Sequence, residues 1–274
     1  MAYFSEPLVV SYPKSIDTSV LSSIGPAPAI RISNISKSFP RPHDTPLTVL
    51  DRVGFDVEKD RVTAILGASG CGKSTLLNII AGLAPADQGI IQLDGTPLQD
   101  FSDWRRIGYL FQDDRLLPWR TAQANVELGL EAEHVGTSER HERARLALNS
   151  VGLAGFEHAY PGELSGGMRS RVALARSLVK EPDILLLDEP FSKLDPTLRT
   201  QMHDELLRAQ AQRHISVAFV THDLEEAVYL ADKAVIMHPG PGRVHAIIPI
   251  DLPRPRVASE RNVSEQIRML RTLV

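Results

Sequence analysis

The chain has one cysteine, Cys71, so no intrachain disulfide can form and a reducing compartment suits it. Aromatic residues are scarce at 5%, and positive charge is not in excess: 30 basic against 34 acidic residues leave a net charge of −4. Nucleic acid is therefore not expected as the main partner. No apolar run approaches the roughly 20 residues that cross a bilayer. The opening stretch MAYFSEPLVVSYPKSIDTSV has neither a basic start nor a continuous apolar centre, so no signal peptide is expected. If a membrane matters to this chain, a partner must supply it. No internal repeat is evident. What is present, 43% hydrophobic and 23% charged residues over 274 positions, fits a globular chain with a sizeable core.

Residues 1–28 mix Ser and Pro without a sustained period and read as a loosely ordered extension. From Ile30 the pattern turns strand-like, in AIRISNISKSF and LTVLDRVGFDVEKD, with antiparallel pairing expected. RVTAIL reads as a short buried strand, KSTLLNIIAGL as a helix, and GIIQLDGTPL as strand with a tight Asp94-Gly95 turn. TAQANVELGLEAEH and SERHERARLALNSVGL read as helices punctuated by Gly136 and Gly152, and GMRSRVALARSLVKEP as a further helix ended by Pro182. Beyond it DILLLDEP, SVAFVTHD and KAVIM are strands, separated by the helical segments TLRTQMHDELLRAQAQRH and LEEAVYLAD. Alternation of this kind implies a mostly parallel α/β sheet. The tail SEQIRMLRTL reads as a short packing or solvated helix, too poor in large apolar residues for a membrane anchor.

Against this background GASGCGKST, residues 67–75, stands out between a strand and a helix. Gly67 to Ser74 match the phosphate-loop pattern G-x-x-x-x-G-K-[ST]. Glycines let successive backbone N–H groups approach phosphate oxygens, and the helix start adds its positive end. Lys73 would neutralise the β and γ phosphates and Ser74 would ligate Mg²⁺. An incidental Gly-rich turn is the plain alternative, and the placement between strand and helix argues against it. Asp188 and Glu189 end a buried strand, at the sheet edge where ligands sit in parallel α/β proteins. There Asp188 would hold Mg²⁺ and Glu189 would orient and deprotonate the attacking water. Alone, the pair would read equally as an acidic helix cap. Ser165, Gly166 and Gly167 precede a helix and would form an anion-binding nest, although an ordinary Ser cap explains them as well in isolation.

Taken in order, these segments resemble the nucleotide-binding subunit of an ABC transporter over about residues 29–250. GASGCGKST resembles the Walker A motif, ILLLDEP the Walker B motif and LSGGM the ABC signature. Gln112 in LFQDD matches the Q-loop, Asp195 closes the D-loop SKLD, His222 in THD matches the switch histidine, and Phe39 is placed like the aromatic that stacks on adenine. FQDDRLLPWRTAQANVELGL and HPGPGRV are similar to the nitrate, sulfonate and taurine importer group. Thiamine-precursor and riboflavin importers share such segments. Three positions depart from the pattern: Met168 stands where Gln is usual, Ser170 where RQR is common, and Lys193 where Ala is frequent.

The resemblance implies an α/β fold with a RecA-like P-loop ATPase core, an antiparallel β subdomain and a helical ABC subdomain over about residues 113–180. The cassette would span 29–257, with 258–274 as a C-terminal tail. ATP and Mg²⁺ are the expected cofactors. Phe39, the loop residues Gly67, Ala68, Ser69, Gly70, Cys71, Gly72, Lys73, Ser74 and Thr75, and Ser165, Gly166, Gly167 and Asp195 are expected to contact nucleotide. Ser74, Gln112 and Asp188 would hold the metal, and Glu189, His222 and Gln112 would serve hydrolysis. The resemblance further implies a head-to-tail homodimer, two transmembrane permease subunits and an extracytoplasmic solute-binding protein. It places the chain peripherally at the cytoplasmic face of the inner (cell) membrane, energising uptake of a small anionic solute. Another small solute and a soluble, non-transport ABC ATPase stay open as alternatives. A phosphate-loop kinase or GTPase would lack LSGG. Cys71 lacks a general base at sequence level and is expected to lie within reach of the phosphates, where MgATP would shield it from thiol reagents. Trp119, just after the Q-loop, is a candidate to face a membrane partner. Trp104 reads as a packing or surface group and RHERAR as a solvated helix face.

Overall fold

The computed structural model describes residues 27–41, 44–257 and 259–274. The expectation for the N-terminal extension lies outside these residues up to position 26. Two sheets and seven α-helices make up the described chain. Strands β1 (Ile30–Arg41) and β2 (Asp44–Val57) pair antiparallel, and β4 (Gln88–Leu93) flanks β1 on its other side. The two-residue β5 (Thr96–Pro97) closes this four-stranded sheet across the Asp94-Gly95 turn, where both residues take positive φ, 48° and 80°. This is the left-handed pair that a tight hairpin needs.

The second sheet has six strands in the order β10-β9-β3-β8-β7-β6. Its members are β3 (Val62–Gly67), β6 (Ile107–Leu110), β7 (Ile184–Asp188), β8 (Ser216–Thr221), β9 (Lys233–His238) and β10 (Arg243–Pro249). All neighbours are parallel except β10, which pairs antiparallel with β9. The continuous apolar runs of β3, β7, β8 and β9 are explained by burial on both faces. Side chains alternate strictly. Ile65, Leu186, Val220 and Val235 face one core with α1 (Lys73–Ile80) and the antiparallel sheet. Leu66, Leu187, Phe219 and Ile236 face the other core with the remaining helices.

Three helices lie in sequence between β6 and β7: α2 (Ala122–Glu131), α3 (Thr137–Ser150) and α4 (Gly166–Leu178). They pack on one another and add Val126, Leu130, Leu148 and Val172 to the larger core. α4 stops at Leu178, four residues before Pro182, with Val179 as its C-cap. α5 (Pro196–Arg213) and α6 (Leu224–Leu230) link β7 to β8 and β8 to β9. The tail forms α7 (Arg261–Arg271), which starts earlier than SEQIRMLRTL suggested. It packs against α6 and sinks Val263, Ile267 and Leu270 into the larger core, so the packing reading of this segment describes what is seen. No described helix is long and apolar enough to cross a membrane.

Candidate active site

Parallel strands put their C-terminal ends on one edge. Leu66 pairs with Thr221, Asp188 with Val220 and Leu110 with Leu187. The segments that follow these strands, 67–75, 112–115, 189–195 and 222–223, therefore meet at the same edge although they lie far apart in sequence.

The loop after β3 is shaped by what lies under it. A Cβ on Gly67 would stand 2.4 Å from Met237 O and 2.8 Å from Cys71 Sγ. Gly72 has φ 91° and serves as the N-cap of α1, which has no side-chain cap and no acidic residue in its first turn. α2, α4, α5 and α6 are capped by Thr121, Ser165, Asp195 and Asp223. The uncapped N–H groups and positive dipole end of α1 thus remain available to an anion. Lys73 is buried, and its Nζ donates to Gly67 O at 2.7 Å and Ala68 O at 3.0 Å, folding the ammonium back over the loop. Cys71 corrects the expectation for its thiol. Its side chain is fully buried in the smaller core, 3.8 Å from Lys73 Nζ, so only its backbone can face a phosphate. Ala68, Ser69 and Gly70 are exposed at the loop's crest.

Beside the loop, Asp188 is buried, and its Oδ1 has no hydrogen-bond partner. Burial raises its pKa, with the Ser74 hydroxyl bonded to the carboxylate pulling down, the Glu189 charge pushing up and the Lys73 ammonium pulling down. A carboxylate with an unfilled acceptor next to a hydroxyl is a donor set that suits a hard cation. Glu189 follows with φ 47°, a left-handed conformation that a non-glycine residue adopts only where its surroundings hold it. Its Oε2 is 3.4 Å from Gln112 Nε2 and its Oε1 is 3.4 Å from His222 Nδ1. Gln112 and His222 thus converge on the Glu189 carboxylate from positions 77 and 33 residues away, which brings together the three residues expected to serve hydrolysis.

The remaining candidates lie around this centre. Phe39 is 42% exposed on β1, its ring 5.5 Å from Lys37 Nζ, and so presents a face to solvent. Ser165 caps α4 by accepting from Met168 N at 3.2 Å, so the cap reading of this serine is realised and its hydroxyl proton stays free to donate. No hydrogen bond among the described residues joins Ser165, Gly166 or Gly167 to the phosphate loop. Gly167 lies instead by the D-loop segment, where a Cβ would stand 3.5 Å from Lys193 O. Asp195 caps α5 by accepting from Leu198 N.

Several residues that the motifs did not single out hold the Q-loop segment. Arg169 Nε donates to Asp114 Oδ2 at 3.0 Å, and Arg176 donates to the Asp114 and Arg115 carbonyls. Lys193, one of the three departures, reaches Gln112 O at 3.2 Å and Asp113 Oδ1 at 3.3 Å, tying the D-loop segment to the Q-loop segment. Met168 packs on the larger core, and Ser170 Oγ donates to Gly166 O within its helix. Trp119 is 71% exposed; Trp104 packs edge-on against Phe101. The signal for the Q-loop anchors is spatial, since their partners stand 55 to 81 residues away.

A phosphate loop at an uncapped helix start, with two carboxylates from the end of β7 two strands away, defines a nucleotide-binding α/β cassette. Residues 50–192 match the family described as ABC transporter. The chain is 40% identical over 238 residues to an aliphatic sulfonates import ATP-binding protein of Bacillus cereus, covering 86% of this chain and 92% of that one. It is 44% identical over 225 residues to a taurine import ATP-binding protein of Rhizobium johnstonii, covering 82% and 85%. Among solved structures, a dimeric ATP-binding cassette in a post-hydrolysis state with ADP and Pi superposes with a TM-score of 0.76 at 29% identity, covering 82% of this chain and 100% of that one. This chain belongs to the ABC transporter family.

Proposed function

We propose that the chain is the ATP-hydrolysing subunit of an importer for a small anionic solute of the sulfonate, taurine or nitrate class. The observation that carries the hydrolytic part is the convergence of Gln112 and His222 on Glu189 beside the phosphate loop. The import part rests on the similarity to sulfonate and taurine import proteins.

In this reading the loop amides of Gly67 to Thr75 cradle the phosphates and Lys73 turns its Nζ from the loop carbonyls toward the β and γ oxygens. Phe39 offers its exposed face to the adenine. The free Oδ1 of Asp188 and the Ser74 hydroxyl fit Mg²⁺, with Gln112 as a further oxygen donor. The ion, when bound, neutralises phosphate charge and orients the γ-phosphate. Glu189 orients the attacking water and takes its proton, while the His222 ring donates toward the γ-phosphate. The attacking oxygen bonds to the γ-phosphorus and the bond to the β-bridging oxygen breaks, leaving ADP and phosphate.

Ser165, Gly166, Gly167 and Asp195 act across a head-to-tail homodimer, each copy's signature closing over its neighbour's ATP. That fits the separation of this segment from its own phosphate loop and the dimeric cassette that the chain resembles. The cassette spans 29–257 with its helical subdomain at about 113–180, through which the Q-loop passes closure to two transmembrane permease subunits. An extracytoplasmic solute-binding protein completes the assembly, and the chain docks at the cytoplasmic face of the cell membrane.

The test is co-purification of the tagged full chain with permease subunits from solubilised membranes, followed by growth of a deletion strain on sulfonate, taurine or nitrate as the sole sulfur or nitrogen source. Co-purification and a growth defect on one of these are expected. Absence of any permease, with normal growth on all three, refutes the importer reading.

A further inference from the structure

Helix α6 starts two residues after His222 and is seven residues long. Two turns do not hold a direction on their own, so the packing of α6 sets where His222 stands. Its face toward α5 is polar. Asp223 Oδ2 lies 3.5 Å from Arg199 Nη1, Glu226 Oε1 lies 3.5 Å from His203 Nε2, and Tyr229 OH donates to Asp204 Oδ1 at 2.8 Å. Spacing by three residues puts 223, 226 and 229 on one side of the helix.

The middle rung is nearly dry: the side chains of His203 and Glu226 are 9% and 6% exposed. His203 Nε2 has no hydrogen-bond partner, so the carboxylate at 3.5 Å is the polar group it faces. Phe191, in the segment after Glu189, packs edge-on to the His203 ring at 4.6 Å. Glu226 also lines a cavity of about 80 Å³ together with Glu189, His222 and Arg199. The hydrolysis outlined above uses neither His203 nor Glu226.

A buried imidazole–carboxylate pair is a poor stabiliser, because desolvation offsets its attraction and a well-packed apolar pair often does as well or better. What it offers over an apolar contact is direction. It specifies one register between α5, which begins just after the D-loop, and α6, which carries His222 at its head.

We propose that His203 and Glu226 are positioning residues for hydrolysis, bracing α6 against α5 so that His222 faces Glu189. This rests on the hydrolytic reading of Glu189 and His222. Neither residue is among those assigned to hold nucleotide, so turnover should change while affinity for MgATP does not.

The test uses the full chain, measuring steady-state MgATPase kinetics and thermal unfolding. His203→Leu/Glu226→Leu removes both partners and leaves an apolar contact. Its Tm is expected at or above the wild-type value, with KM within about twofold and kcat lowered ~10-fold or more, since a displacement near 1 Å at a catalytic group costs up to about 10²-fold. Glu226→Gln keeps the shape and an acceptor for His203 Nε2–H, and is expected to retain kcat within about twofold. Wild-type kcat in the double variant overturns the brace. So does a loss of kcat that comes with a lowered Tm or a raised KM, and so does equal damage in Glu226→Gln. Glu189→Gln run in parallel separates the two levels. If it hydrolyses normally, the reading of the site fails; if it is inactive while the double Leu variant is fully active, the brace alone fails.

Discussion

Replacing Glu189 by Gln keeps the side-chain shape and removes its charge and basicity. Both carboxylate oxygens face a nitrogen, Gln112 Nε2 at 3.4 Å and His222 Nδ1 at 3.4 Å. The amide can satisfy one of them with its oxygen and must turn an N–H₂ toward the other. These contacts are long and on the solvent side, so their loss costs at most about 1 kcal/mol. Losing the general base is the larger effect, worth on the order of 10²–10⁴-fold, or about 3–5 kcal/mol in the barrier. Phosphate release at saturating MgATP should fall by that factor, while nucleotide affinity by equilibrium titration stays within about threefold, because the loop and Lys73 are untouched. Removing a negative charge near the γ-phosphate also eases closure of two ATP-bearing copies. Size-exclusion chromatography with MgATP should show the variant as a dimer. A turnover near wild type would place the base elsewhere and return Asp188-Glu189 to a metal ligand beside an ordinary turn.

Lys73→Ala removes a buried ammonium held at the loop carbonyls beside the expected phosphate site; calorimetry should show MgATP affinity lowered by on the order of 10²-fold, the worth of charge-assisted hydrogen bonds. Cys71 is fully buried beneath the loop, so a maleimide should label it slowly with and without MgATP, and rapid labelling that MgATP blocks would contradict the inward orientation. Ser165→Arg deletes a helix cap and fills the nest; a loss of about 1 kcal/mol should lower Tm by roughly 2–4 °C, leave ATP binding in place and abolish the MgATP-dependent dimer. An unchanged dimer would count against closure of the signature over a neighbour's nucleotide.

The phosphate loop was legible in the sequence because its chemistry is local. Gly67, Gly72 and Lys73 act through consecutive backbone groups and a helix start, and all of that is written in one contiguous stretch. Asp188 and Glu189 were legible for a similar reason, since an apolar run that ends in two acids marks a strand end at the ligand edge. Caps such as Ser165 and Asp195 also belong to this local class.

The tertiary structure decided what depends on long-range pairing. β6 went unread because IGYL is four residues long and contains Gly108, where a Cβ would stand 2.6 Å from Ser177 O. The half-exposed β10 became a strand only by pairing with β9. The inward turn of Cys71 is completed by the core beneath the loop, where its fully buried side chain joins residues far apart in the chain. Lys193 looked like a departure from a pattern, yet it bridges two segments 80 residues apart. The meeting of Gln112 and His222 on Glu189 arises because β6, β7 and β8 lie side by side in a parallel sheet. Residue identity sets which chemistry is available, but strand order sets which residues share an edge, and strand order is fixed by burial of side chains far apart in the chain.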